Sequence, residues 1–160
     1  MRCCHNWWFP PSGTHLHCVH VHVPRYGLGP TQPSGSFARR RNLILHITSR
    51  REWLAAQQSG AYRAPSLEKE GFIHCSTDKQ ILSVANAFYR GQKDLVLLVI
   101  DEARLRPEVR WEAPAGMPAD GISQSDRFPH IYGPLNTDAV ISVLDFEPDS
   151  AGTLVLPPFD

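Results

Sequence analysis

Hydrophobic and polar residues alternate along the second part of this chain with the periods of strands and helices. Residues 43–48 predict a first strand, and residues 95–100 are apolar at every position. A wholly apolar run of this length indicates a central strand that is covered on both faces. Further short strands are predicted at residues 72–76, 109–112, 128–132, 140–146 and 153–156.

Two helices are predicted between the first strands. Ser49 and Glu52 have the spacing of a capping box, which predicts a helix over residues 50–59 that ends at Gly60 and buries Trp53 and Leu54. The stretch 77–80 has the pattern of a second capping box, and apolar residues follow it at helical spacing as far as Phe88, with Gly91 as the stop.

Two stretches without periodicity are predicted as loops. Residues 61–70 form the first, and residues 113–127, rich in Pro, Gly, Asp and Ser, form a longer one that is typical of a lid or a binding loop. Strands outnumber helices, and the helices come early. The pattern indicates an α+β fold in one domain over residues 43–160 rather than a doubly wound sheet.

Residues 1–42 differ in composition from the rest of the chain. They contain five of the eight histidines, Cys3, Cys4 and Cys18, and no carboxylate. We interpret them as a disordered leader or as the product of a start codon placed too far upstream. The His- and Cys-rich stretch 15–22 would suit zinc, but its spacing completes no closed site, so no metal is expected.

The charge balance restricts the expected partners. Residues 43–160 hold all 16 acidic residues and 11 of the 16 basic ones, so their formal charge is −5. An acidic body makes a nucleic acid an unlikely partner, and no apolar run reaches the roughly 18 residues that cross a bilayer. Cys75 is the single cysteine of this part, so no internal disulfide can form there, and the cytoplasm is the expected compartment.

Three histidines lie inside the predicted strands, namely His46, His74 and His130. An imidazole needs hydrogen-bond partners once it is buried, so three such positions predict one polar pocket built from several strands. The alternative for each is a core histidine held by a backbone carbonyl. Ser76 shares the predicted strand face of His74, and Thr77 starts the next helix, so this corner is a candidate site for a phosphate or a carboxylate.

Further candidate ligand contacts come from the late strands. His130 and Tyr132 lie in a stiff segment between Pro129 and Pro134 that is suited to holding a ligand. Glu112 follows an aromatic residue before the predicted lid, where a carboxylate could be a general base or could stabilise positive charge on a sugar. Cys75 is expected in the apolar core and inert.

Two His-x-Ser/Thr units, His46 to Thr48 and His74 to Ser76, raise an alternative. They resemble the two-histidine phosphoesterases, in which one imidazole takes a proton and the other gives one. In that family each unit belongs to a separate lobe, whereas here only 28 residues separate the two histidines. A second alternative is a module that binds a small ligand or a partner without catalysis.

Several longer strings together resemble the bacterial proteins catalogued as domain of unknown function 952. These are residues 45–48 (Leu-His-Ile-Thr), 70–76 (Glu-Gly-Phe-Ile-His-Cys-Ser), 84–89 (Val-Ala-Asn-Ala-Phe-Tyr) and 128–135 (Phe-Pro-His-Ile-Tyr-Gly-Pro-Leu). The resemblance runs from about residue 43 to residue 157. It implies a small α+β domain, in some relatives fused to a glutathione-transferase-like domain, which would be a partner.

The resemblance extends in strand order to the ADP-ribosyltransferase superfamily, and so implies a compact mixed or antiparallel split β-sheet with two to three short helices. It implies NAD or another nucleotide as ligand or cofactor. By position, His46, His74 and Glu112 would be the catalytic residues. The ligand-binding residues would be Thr48, Ser76, Thr77, His130 and Tyr132.

Overall fold

The computed structural model describes residues 42–114 and 121–159. The chain divides into two units, residues 1–37 and 38–160, and every described residue belongs to the second. Three of the predictions above therefore lie outside the described residues in whole or in part: the leader, the His- and Cys-rich stretch 15–22, and positions 115–120 of the predicted lid.

Eight strands and three α-helices follow one another in the described part of the chain. The strands are β1 (Leu43–Ser49), β2 (Ala61–Tyr62), β3 (Ile73–His74), β4 (Leu95–Asp101), β5 (Glu108–Glu112), β6 (Phe128–Tyr132), β7 (Leu135–Asn136) and β8 (Val140–Asp145). The helices are α1 (Arg50–Ser59), α2 (Pro65–Lys69) and α3 (Ile81–Phe88). The predicted α+β class is confirmed.

The strands form three antiparallel sheets, with the orders β1-β4-β8, β2-β7 and β3-β6-β5. All seven residues of β4 are buried, so the predicted central strand is confirmed. Alternate residues of β1 and β4 enter two different cores. Ile44 packs with Trp53 and Ile131, whereas Leu45 packs with Ile81 of α3 and with Phe146. Apolar burial on both faces of this sheet is the main source of stability.

Helix α1 begins and ends at the predicted residues. The Ser49 hydroxyl accepts a hydrogen bond from the Glu52 amide at 3.2 Å, and Gly60 adopts the left-handed conformation (φ 79°) that a helix stop favours. Trp53 is buried as predicted, but Leu54 is 53% exposed, so its predicted burial is wrong. Adjacent helical residues point about 100° apart, and the helix buries Trp53 and Ala56 on one side.

Three other predictions need correction. The second helix is predicted to be capped at Thr77 and to stop at Gly91, but α3 has Gln80 and Tyr89 as its end caps and no side-chain cap bond. The predicted loop 61–70 contains β2 and α2, with Pro65 at the first helical position, where the missing amide costs nothing. The predicted strand 153–156 is absent from the described residues; Leu154 forms an isolated bridge with Pro148. The Asp149 carboxylate accepts from the amides of Ala151 and Thr153 and so closes a turn there.

Candidate functional site

The β3-β6-β5 sheet has one polar face and one apolar face. His74 of β3 and Arg110 of β5 both lie directly opposite His130 of the central strand β6. Opposed residues of antiparallel strands share a face, so these three side chains lie in one row. Their neighbours Ile73 and Ile131 point to the other face, into the core.

His130 is held by a carboxylate on the adjacent strand. Its Nδ1 lies 2.8 Å from Oε2 of Glu112, and the hydroxyl of Tyr132 donates to the same oxygen at 2.8 Å. Because an ionised carboxylate only accepts, Nδ1 carries the proton and Nε2 of the neutral ring keeps its lone pair. The Phe72 ring stacks on the imidazole with centroids 4.2 Å apart. Burial lowers the pKa of His130, and the Glu112 hydrogen bond opposes that shift in part.

His74 forms a second imidazole–carboxylate pair beside the first. Its Nε2 lies 3.0 Å from Oε2 of Glu70, and roughly half of each side chain is exposed. The rings of His74 and His130 meet edge to face with centroids 5.1 Å apart. Two basic nitrogen heterocycles, each oriented by its own carboxylate, are thus adjacent on one surface. That arrangement can hold and move protons.

The surroundings of the two imidazoles are acidic and aromatic. Arg110 forms a two-pronged ion pair with Glu108 at 2.8 and 2.9 Å and lies 4.2 Å over the Tyr132 ring. Hydrogen bonds from His130 and then Tyr132 hold the pKa of Glu112 below its ordinary value. We call this surface the imidazole face; its residues are Glu70, Phe72, His74, Glu108, Arg110, Glu112, His130 and Tyr132. Carboxylates outnumber guanidinium groups on it by three to one.

His46 does not belong to the imidazole face, although His130, which does, is itself only 3% exposed. His46 is 6% exposed, with Nδ1 2.6 Å from the backbone carbonyl of His74 and Nε2 3.0 Å from the hydroxyl of Tyr62. Burial lowers the pKa of His46 to about 4. The structure therefore brings four of the predicted site residues together, namely His74, His130, Glu112 and Tyr132. His46 contacts the backbone of this group.

The hydroxyls of Thr48 and Thr77 have internal partners, and Ser76 is buried. The Thr48 hydroxyl donates to Glu52 at 2.8 Å, and the backbone of buried Ser76 pairs with Leu45 through two bonds of 2.8 Å. The amide and hydroxyl of Thr77 both donate to the side-chain oxygen of Gln80, which forms half of the predicted capping box. Ligand contacts by these residues stay predictions.

Sequence reasoning missed Glu70, Arg110 and Tyr62. Arg110 had a readable signal, since it alternates with Glu112 in a predicted strand and must share its face. Glu70 meets His74 only through the turn at Gly71 (φ 89°), and Tyr62 lies in a stretch predicted as a loop. No periodic pattern in the sequence indicates the Glu70–His74 contact or the Tyr62–His46 contact.

A groove, possible metal ligands and possible membrane spans were the other candidate sites among the described residues. A groove of about 430 Å³ is lined by Trp53, Gln57, Asp138 and residues 140–143 of β8, none of which belongs to that face. Across positions 42–114 and 121–159, no group of three or more His, Cys, Asp or Glu side chains is placed to hold a metal ion. No helix in these two stretches is long and apolar enough to cross a bilayer.

Comparisons with known proteins give a family but no activity. The model of a protein family of unknown function, DUF952, matches residues 47–143. The chain belongs to this family. The match includes β3, β5 and β6, so the whole imidazole face lies inside it. No curated protein matches.

Two solved structures of one bacterial relative share the fold. The crystal structure of protein CC0527 from Caulobacter crescentus is 35% identical and covers 71% of this chain and 93% of its own, with a TM-score of 0.61. The solution NMR structure of the same protein is 36% identical and covers 69% and 90%, with a TM-score of 0.56. This DUF952 chain is thus similar in sequence and in fold to a structural-genomics target.

Proposed function

We propose that the imidazole face of this DUF952 protein binds a nicotinamide nucleotide such as NAD and cleaves its nicotinamide–ribose bond. The observation that carries the proposal is the position of Glu112. One of its oxygens accepts hydrogen bonds from both His130 and Tyr132 at 2.8 Å, which fixes an ionised carboxylate beside an imidazole on which Phe72 and His74 pack.

The charge of the imidazole face suits this reaction better than it suits phosphate chemistry. Cleavage of the nicotinamide–ribose bond develops positive charge on the sugar, and a preorganised carboxylate stabilises such charge. The nicotinamide ring of NAD is itself a cation, and aromatic faces such as Phe72 and Tyr132 attract flat cations. The excess of carboxylates repels a pyrophosphate, which would have to lie beyond this cluster.

His130 supplies the base in this proposal. As the bond breaks, its electron pair goes to the ring nitrogen and nicotinamide leaves as a neutral molecule. Water attacks the ribose carbon and gives its proton to Nε2 of His130, whose Nδ1 proton is held by Glu112. ADP-ribose, nicotinamide and a proton result. An acceptor hydroxyl in place of water would give ADP-ribosyl transfer by the same steps, and His74 would orient it.

The test is release of nicotinamide from NAD, measured by mass spectrometry with the full chain. Positioned acid–base groups contribute about 10²–10⁴-fold in rate, so Glu112→Gln and His130→Asn should each lower the rate at least about 100-fold. Glu147→Gln, an exposed glutamate outside the imidazole face, is the matched control and should retain the full rate.

Two outcomes would contradict the proposed reaction. Heat of NAD binding in calorimetry without nicotinamide release would make the imidazole face a binding module without catalysis. Neither heat nor release, with ADP-ribose also inert, would remove nicotinamide nucleotides as ligands. Cleavage of a 2′,3′-cyclic nucleotide that is lost in His74→Ala would instead support the phosphoesterase alternative.

A further inference from the structure

A chain of hydrogen bonds runs from the buried imidazole of His46 to the first turn of α1. Nε2 of His46 lies 3.0 Å from the Tyr62 hydroxyl, which lies 2.9 Å from Oγ1 of Thr48, which lies 2.8 Å from Oε2 of Glu52. On the other side of the ring, Nδ1 lies 2.6 Å from the carbonyl oxygen of His74. One side chain of β1 is thus bonded to β2 and β3, each in a different sheet.

The direction of each hydrogen bond follows from the Glu52 end of the chain. The Glu52 carboxylate only accepts, and the Ser49 hydroxyl also donates to it at 3.0 Å. Thr48 therefore gives its proton to Glu52 and accepts from Tyr62. The hydroxyl proton of Tyr62 is then donated to Thr48, so the Tyr62 oxygen can only accept a hydrogen bond from Nε2 of His46.

Both ring nitrogens of His46 need a proton for these bonds, and a neutral ring has only one. A carbonyl oxygen only accepts, so the bond to His74 requires a proton on Nδ1, and the chain through Tyr62 requires a second proton on Nε2. A neutral imidazole carries one ring proton. Every bond can form together only when His46 is an imidazolium, and the neutral ring leaves the network one hydrogen bond short.

Burial disfavours the second proton on His46, and its neighbours shift the pKa of the ring in both directions. Desolvation lowers the pKa of His46 to about 4; the hydrogen bond that the His74 carbonyl accepts and the Glu52 charge raise it, whereas the His74 ring lowers it. Cys75 packs in the same core as Tyr62, whereas Tyr89 packs against the other core; burial raises the pKa of both, so they are neutral. The occupancy of the second proton is therefore set by the Tyr62–Thr48–Glu52 chain against burial.

We propose that His46 is a positioning residue for His74, and that it connects the His74 backbone to the complete Tyr62–Thr48–Glu52 chain only while it holds a second proton. With that proton, the chain fixes the backbone of His74 from β1. Without it, Nδ1 keeps the short bond to His74, the Tyr62 hydroxyl turns to donate to Nε2, and its bond with Thr48 is lost. Of the proposed function, this inference uses only the choice of His74 as a site residue.

The test is an NMR titration of the His46 ring nitrogens in the full chain, since nitrogen shifts distinguish a protonated nitrogen from one with a lone pair. Tyr62→Phe removes the acceptor, and Glu52→Gln removes the charge while keeping an acceptor. Each should lower the proton affinity of His46 about tenfold, the size expected for one charge-assisted bond. Tyr89→Phe, a partly buried tyrosine outside the chain, is the matched control and should leave the titration unchanged.

The His74 carbonyl supplies the positioning readout. Its carbon shift should follow the His46 titration in the unmodified protein. At a fixed pH the shift should keep its value in His46→Asn, whose amide can still reach the carbonyl, and should change in His46→Gln.

The inference is overturned if His46 titrates alike in the unmodified protein, Tyr62→Phe and Glu52→Gln, or if only Nδ1 is protonated at every pH. Glu52→Gln keeps the test valid if Tyr62→Phe fails to fold, because Glu52 lies at the surface. The outcome is separable from the proposed function. If the variants lower the proton affinity of His46 as expected but no nicotinamide is released, only the proposed reaction is contradicted. If nicotinamide is released but the variants leave the His46 titration unchanged, only this inference is contradicted.

Discussion

Loss of the Tyr62 hydroxyl should destabilise the protein by a predictable amount. Tyr62 is 2% exposed, and its hydroxyl bonds both His46 at 3.0 Å and Thr48 at 2.9 Å. Phenylalanine fills the same space, so Tyr62→Phe creates no cavity and removes only the oxygen. A ring nitrogen of His46 is then buried without a partner, which costs about 1–3 kcal/mol. We expect the free energy of unfolding to fall by about 2 kcal/mol.

Urea unfolding at pH 7, followed by tryptophan fluorescence, measures this loss. Tyr89→Phe is the control and should change the free energy of unfolding by less than about 0.5 kcal/mol. The Tyr62–Thr48 bond forms only while His46 holds its second proton, and burial lowers the pKa of His46 to about 4. At pH 7 the costs of Tyr62→Phe and Thr48→Val should therefore add in a double-mutant cycle. Equal stabilities of the Tyr62→Phe and Tyr89→Phe proteins, or strong coupling of Tyr62 with Thr48 at pH 7, would contradict this account.

Three further predictions concern helix capping, thiol reactivity and acid sensitivity. Ser49→Ala should lower the free energy of unfolding by about 1 kcal/mol through loss of the capping box, and an unchanged urea midpoint would contradict it. Burial raises the pKa of Cys75, so peptide mapping after alkylation should find this thiol unmodified in the folded chain and modified in urea. Burial lowers the pKa of His46 and His130 below the ordinary 6.5, so the unfolded chain takes up protons first as the pH falls. Stability should thus be full above pH 7 and lower at pH 5, and an equal urea midpoint at both would count against burial of these rings.

The regular elements were predictable from the sequence because each has a local cause. The apolar run of β4 and the spacing of Ser49 and Glu52 determine a strand and a helix start without reference to the rest of the chain. The strand 153–156 was mispredicted because a local competitor, the Asp149 side chain, holds the neighbouring amides in a turn. Short elements such as β2, only two residues long, carry no periodic signal.

The candidate site was predictable only in part, because its geometry depends on strand register. Sequence alternation places His130 and Tyr132 on one face of a strand, but only the pairing of β6 with both β3 and β5 sets His74 and Glu112 beside them. The burial of His46 depends on Tyr62, whose position follows from the pairing of β2 with β7. Contacts between strands that are far apart in sequence cannot be read from the residues next to either strand.

The central claim is that Glu112 and His130 act together on a bound nicotinamide nucleotide. The most direct measurement is a mass-spectrometric time course of nicotinamide release from NAD by the full chain and by Glu112→Gln. The account predicts steady release by the unmodified protein and at least about 100-fold slower release by the variant. Equal rates in the two proteins, or no release by either, would contradict it.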